Sequence, residues 1–422
     1  MRTICPFVIL LSGLCGQTMD HATLARELNE ETLRLRAKQS ATAVDAVSRE
    51  AIEHAEKAGD SGLLAKCLHN RAQILRELHR YEEAEPLHRR TISLLESSRA
   101  SPESLAISIH SLASLLTFQH RPAEAEPLLR QALRLPLRQK YPLALTLLLN
   151  GLGQVQYALG QDVEAEATFK RALAVHVTIR ETAETDGGDH LRYTLVPGET
   201  SERLWALILN NQGLVAYRLG KLRPAEQCWR QSIDLYRKTP GIATGAVGAP
   251  MANLGELLRL QKQFPEAAEQ LTAALSIFET TLGPDSYRVA LVLNLLGNTL
   301  SETGDLAQAR RLYNRSLALT RKHAGEEHSQ NGVVLSNLAE LEVREGSTGR
   351  ALELYTRSLE ILEKSLGPNH PILIPTLMGQ VALLRQLGRS KDAKLTATRL
   401  NSLRAGSVRS GIVSLEDLRQ ER

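Results

Sequence analysis

Aromatic residues are scarce, 4% of the 422 positions, although 43% are hydrophobic. The apolar content is therefore aliphatic and rich in Leu and Ala, which favours helices and argues against an all-β chain. Cysteine is scarcer still. Of four, Cys5 and Cys15 lie at the N-terminus, and Cys67 and Cys228 alone are too few for a disulfide framework or a metal-ligand cluster. An excess of one charge is also missing: 51 basic and 47 acidic side chains leave a net +4. That balance excludes the strongly basic surface by which proteins hold nucleic acid or anionic membranes.

Long hydrophobic runs are absent as well. Ile4 to Leu14 is too short for a membrane span, which needs about 20 apolar residues, and no later stretch is a better candidate. With Arg2 before it and Gly13, Cys15 and Gly16 at its end, residues 1–16 read as a secretory signal peptide. Export to a periplasmic or extracellular location is the expectation; a start site placed elsewhere would leave the chain cytoplasmic. Enzyme signatures are missing too. There is no Walker loop, dinucleotide glycine fingerprint, nucleophile elbow, HExxH or CxxC pair, so neither a catalytic site nor a cofactor is expected.

What is present is a repeat. The sequence matches itself at a period of 40 to 42 residues, which in a chain without strand signals means stacked helical hairpins and an all-α fold. A small residue recurs at Ala72, Ala113, Gly153, Gly213, Gly255, Gly297 and Ala339, and twelve positions after each stands an alanine, from Ala84 to Ala351. Seven positions further on, Thr91, Ala132, Ala172, Ser232, Ala274, Ser316 and Ser358 form a third small row. A bulky row, His88, Leu129, Phe169, Trp229, Leu271, Tyr313 and Tyr355, fills the space the small residues leave. Gly160, Gly220, Gly304 and Gly346 stand where a first helix needs a left-handed cap.

The small residue followed by alanine and a third small position resembles the tetratricopeptide repeat. The longer period, the connectors Leu282-Gly283-Pro284-Asp285 and Leu366-Gly367-Pro368-Asn369-His370-Pro371, and Tyr81-Glu82-Glu83-Ala84-Glu85-Pro86-Leu87 resemble the kinesin light chain type of that repeat. No sustained heptads precede the repeats, so the likeness is to a repeat type and not to a motor subunit. The resemblance implies a right-handed superhelical solenoid of stacked antiparallel helix pairs. Residues 64–400 hold seven regular repeats and a degenerate C-terminal one, and residues 20–60 form a degenerate N-terminal capping hairpin. A loop insertion falls at about 181–198, and 401–422 reads as a disordered tail. Around Gly241, Gly245 and Gly248 the fifth first helix is expected to start late, at Pro250, with looser packing.

Because the small rows bury one side of each first helix, its opposite stripe should line the concave surface. Asn70, Asn211, Asn253 and Asn337 share one position of that stripe, and Asn150, Asn210 and Asn294 the position before it. Asparagine is a poor mid-helix residue, so local propensity does not explain the row. The resemblance implies that these amides hold peptide backbone. Ser111, Gly151 and Leu295 interrupt the row, and hydrogen bonds between adjacent helices are the competing role. Arg259 and Asn298 lie on the same stripe, and Tyr157 and Tyr217 offer amphipathic anchors.

The leading reading is a non-enzymatic scaffold that captures a protein or peptide segment on the concave face. The alternatives are structural assembly through the convex face or caps, and a small-ligand or metal sensor. The last rests on His69 and His110, which share a repeat position, as do His79 and His120; two ligands are too few, and no metal is assigned.

Overall fold

The computed structural model describes residues 20–37, 41–78, 80–137, 141–185, 201–239 and 244–409. Among them are eighteen α-helices, one 3-10 turn and no strand. The chain divides into two compact units, Met1–Ser201 and Glu202–Arg422.

The first unit holds four hairpins: α1 (His21–Ala37) with α2 (Ala41–Ala58), α3 (Ser61–Glu77) with α4 (Tyr81–Ser97), α5 (Pro102–Phe118) with α6 (Pro122–Ala132), and α7 (Pro142–Ala158) with α8 (Asp162–Thr185). The second holds five, from α9 (Ser201–Arg218) and α10 (Leu222–Lys238), through α11 (Gly248–Leu260) and α12 (Phe264–Leu282), α13 (Tyr287–Thr303) and α14 (Leu306–Ala324), α15 (Ser329–Arg344) and α16 (Thr348–Leu366), to α17 (Leu373–Gln386) and α18 (Ser390–Arg409). Packing stays local. Within each unit, helices touch their neighbours in sequence, and the first helix of one hairpin touches the first helix of the next, as α3 does α5 and α13 does α15.

The spacing of small and bulky rows explains how each pair closes. A methyl group on Gly213 would lie 2.5 Å from the indole nitrogen of Trp229, and one on Gly297 would lie 2.6 Å from the ring of Tyr313. Two helices thus meet at a point where one contributes only backbone, and the large side chain of the other fills the gap. The third small row does more than yield space. Ser232, Ser316 and Ser358 donate to the carbonyls of Ala206, Ala290 and Gly332, at 2.7, 2.7 and 2.6 Å, each reaching back twenty-six residues to the first helix.

From α5 onward, first helices end in a left-handed residue. Gly160, Gly220, Gly304 and Gly346 have φ of 76°, 72°, 95° and 83°, as their spacing suggests. His120 and Lys262 hold the same place at φ 59° and 62°, and the chain closes on the same pair of backbone bonds: Arg121 N–H to Leu116 and His120 N–H to Thr117, like Asp305 N–H to Leu300 and Gly304 N–H to Ser301.

Three boundaries differ from expectation. The fifth first helix, α11, begins at Gly248 and not at Pro250, after a 3-10 turn at Thr244–Val247. Its glycines serve close packing: a methyl on Gly245 or Gly248 would come within 2.8 Å of Thr281 or Phe278, and Val247 and Gly248 are buried. The C-terminal segment is helical as far as Arg409, because Leu400 and Leu403 bury themselves on α17 and α16; residues 410–422 lie outside the described residues. Residues 181–185 complete α8, whereas 186–200, with most of the expected insertion, lie outside the described residues, as does the leader, 1–16. Cys67 is a buried free thiol, and no helix among the described residues is long and apolar enough to cross a membrane.

Candidate peptide-binding face

The asparagines of the first helices meet one another. Asn70 of α3 donates to Asn29 of α1 at 2.9 Å, Asn253 of α11 to Asn210 of α9 at 3.0 Å, and Asn337 of α15 to both Asn294 and Asn298 of α13 at 2.8 and 2.9 Å. Each rung joins neighbouring hairpins of one unit. It forms because residues about 42 positions apart stand side by side on adjacent first helices. The inter-helix role weighed from sequence is thus present. Where the row is interrupted the link continues with other groups: Gln73 donates to Ser111 at 2.8 Å, and Thr376 to Ser336 at 3.0 Å.

Burial divides the predicted residues into two layers. Asn150, Asn210, Asn211 and Asn294 are buried, whereas Asn70, Asn253, Asn298, Asn337, Tyr157 and Tyr217 are half-buried and keep access to solvent. Asn210 and Asn294 of the deeper layer accept from Asn253 and Asn337 of the outer one. Asn298 also accepts the hydroxyl of Tyr313 at 2.8 Å, so one amide serves its own hairpin and the next. Tyr217 lies against Trp229, ring centroids 5.7 Å apart, and Trp229 donates to the Asn210 carbonyl at 3.2 Å. Asn150, Asn211, Tyr157 and Tyr217 make further contacts of their own.

Charges on this stripe are neutralised within it. Arg259, its side chain 11% exposed, is gripped by Glu256 on its own helix at 2.7 Å and by Glu302 of α13. Burial opposes the guanidinium charge, but these two carboxylates outweigh it and raise its pKa. Arg344 reaches from α15 to the Ser301 carbonyl at 2.7 Å and to Glu340 at 3.1 Å. A partner meeting this surface therefore finds amides, hydroxyls and tyrosines before unpaired charge. Sequence reasoning missed Asn29, Glu302 and Ser301 as partners. The signal was available in the spacing of about 42 residues, applied to acceptors as well as to asparagines.

His69 and His110 lie within electrostatic reach of one another, and His21 Nδ1 stands 2.8 Å from His54 Nδ1. His69 faces His88, its ring centroid 5.7 Å away in an edge-on arrangement; His120 occupies the turn, and His79 lies outside the described residues. Among the described residues no three His, Cys, Asp or Glu side chains converge as ligands for one ion.

Tetratricopeptide-repeat models match residues 64–97, 111–178, 205–322 and 331–399, together more than half of the sequence. The chain is a tetratricopeptide repeat protein. No curated protein is significantly similar to it in sequence. Among solved structures, the Rap protein complexed with Competence and Sporulation Factor covers 82% of this tetratricopeptide chain and 99% of its own, at 15% identity and a TM-score of 0.51. BtubC (BKLC) from P. vanneervenii covers 57% of this chain and 90% of its own, at 19% identity and a TM-score of 0.44. A kinesin-light-chain-type protein of nearly identical TPR-like repeats from Podosopora anserina covers 48% and 95%, at 19% identity and 0.39. The fold is thereby that of tetratricopeptide solenoids, which commonly serve as protein-interaction scaffolds.

Proposed function

We propose that this protein is a non-enzymatic scaffold whose first-helix face captures a segment of a protein partner, holding its backbone with amides. The observation that carries the reading is the two-layer amide row. Asn70 and Asn253 each spend one N–H on the asparagine behind them and present the rest of the amide at a half-buried, solvent-reaching position, while Asn337 spends its amino group on two asparagines and presents its carbonyl oxygen. An amide fixed by one hydrogen bond is pre-oriented for the next, which lowers the cost of ordering it on binding. Since Arg259 and Arg344 are already paired, selection rests on hydrogen bonding and on contact with Tyr157 and Tyr217 more than on charge. We place the protein outside the cytoplasm, following the leader at residues 1–16.

The test is capture of partners from an exported fraction by the full chain, the Asn253→Ala and Asn337→Ala variants, and Leu395→Glu, which alters a side chain 74% exposed on the last helix. Partners lost only with the asparagine variants, at temperatures where those variants stay folded, support the proposal. Loss only with Leu395→Glu places the contact on the cap and overturns it. Replacing one N-terminal segment with the mature start and following secretion tests the location.

A further inference from the structure

The bulky row that closes each hairpin is filled by buried side chains suited to the place: Leu129, Phe169, Trp229, Leu271, Tyr313 and Tyr355, all at most 4% exposed. Trp229 and Tyr313 use their polar atoms, toward Asn210 and Asn298. His88 is the exception. It is fully buried, and neither ring nitrogen has a hydrogen-bond partner. A buried imidazole without a partner is tolerable while neutral; as a cation it is not.

Its surroundings offer a proton no stabilisation. From α3, His69 and Arg76 face it, both cationic or able to become so. From α5, His110 lies beside the same two groups, its ring against the backbone of Gly151. On α4 itself the carboxylate one turn earlier, Glu85, is engaged by Arg89 at 2.8 Å and by Arg121 at 2.6 Å. We propose that the α3–α4 hairpin is an acid-sensitive joint, closed while His88 is neutral and opened when the ring takes a proton and must reach water. Burial first, then His69 and Arg76, hold its pKa down to about 3, and burial with Arg76 and His69 holds that of His110 down to about 4.

The sign follows from linkage. The folded pKa lies below that of an exposed imidazole, so the open state binds more protons; closure is fully stable above about pH 6.5 and weakens as pH falls from there toward 3. The consequence is a hairpin that loosens in mildly acidic surroundings, disturbing the row from Asn70 to Gln73 on α3 with it.

Amide exchange of the full chain at pH 7.5 and pH 5, corrected for intrinsic rates, tests this. Protection across α3 and α4 should fall about thirtyfold at pH 5, because an exposed ring titrating near 6.5 takes a proton that the buried ring refuses. His88→Leu and His88→Phe, which install the side chains used at Leu129 and Phe169, should abolish most of the fall. Unchanged wild-type protection, or an equal fall in both variants, would overturn the proposal. A histidine NMR titration of the wild-type chain needs no variant: a His88 ring that titrates near pH 6.5 while α3 and α4 remain protected also overturns it.

Discussion

Replacing Asn253 with alanine removes the donor to Asn210 and leaves that buried carbonyl oxygen without its 3.0 Å partner. The gain in helix propensity, up to about 0.7 kcal/mol, is then set against a cost of about 1–3 kcal/mol for an unsatisfied buried acceptor. A net destabilisation of about 1 kcal/mol is expected for Asn253→Ala, and more for Asn337→Ala, which releases two acceptors; urea unfolding measures both. Cys67 makes a second residue-scale prediction. Burial, with the Asp60 carboxylate adding to it, pushes its thiol up to about 11, so its thiolate is negligible at neutral pH. Native chain should leave Cys67 unalkylated at pH 8 until denaturant is added, as peptide mass spectrometry would show.

At the scale of the helix, the left-handed turn residues His120 and Lys262 carry a strain that glycine does not. Lys262→Gly and His120→Gly should each stabilise their hairpin by about 1 kcal/mol, and Gly304→Ala should cost a similar amount, read from denaturation midpoints. The hairpin itself was legible in the sequence because its contacts are set by short, fixed spacings: Gly213 and Trp229 are sixteen residues apart, and neither needs a third element to explain it. The four glycine caps were legible for the same reason. What spacing within one hairpin does not contain is the neighbour. Asn253 looks alike whether it faces a ligand or Asn210, and only the packing of one first helix on the next separates the two. The start of α11 was missed because glycine was read as a breaker, when Gly245 and Gly248 answer to Thr281 and Phe278, thirty-six and thirty residues ahead.

At the largest scale, contacts that among the described residues of each unit run between neighbouring helices and hairpins make stability a sum of local terms. Ala267, fully buried where α12 crosses α11, has no room for a larger side chain. Ala267→Leu should destabilise the second unit by about 1–3 kcal/mol through overpacking. Hydrogen exchange should then rise around α11 to α14 and stay unchanged in α1 to α6. A uniform rise across all helices would show cooperativity that nearest-neighbour packing does not provide.

The asparagine rungs of the second unit also carry a rule of assembly. Asn210 and Asn294 accept, Asn253 and Asn337 donate, and within each kind the two are 84 residues apart, so the rungs fall at alternate junctions. The junction between them, α11 on α13, uses Arg259 and Glu302. Removing the single hairpin α13–α14 would set Asn337 against Ala252 and Glu256 in place of Asn294 and Asn298, exchanging two amide acceptors for one carboxylate already held by Arg259, whereas removing two hairpins would return the donor to an asparagine. In its asparagine fastenings the second unit therefore counts in twos, and lengthening or shortening it by an even number of hairpins is the change that keeps asparagine facing asparagine.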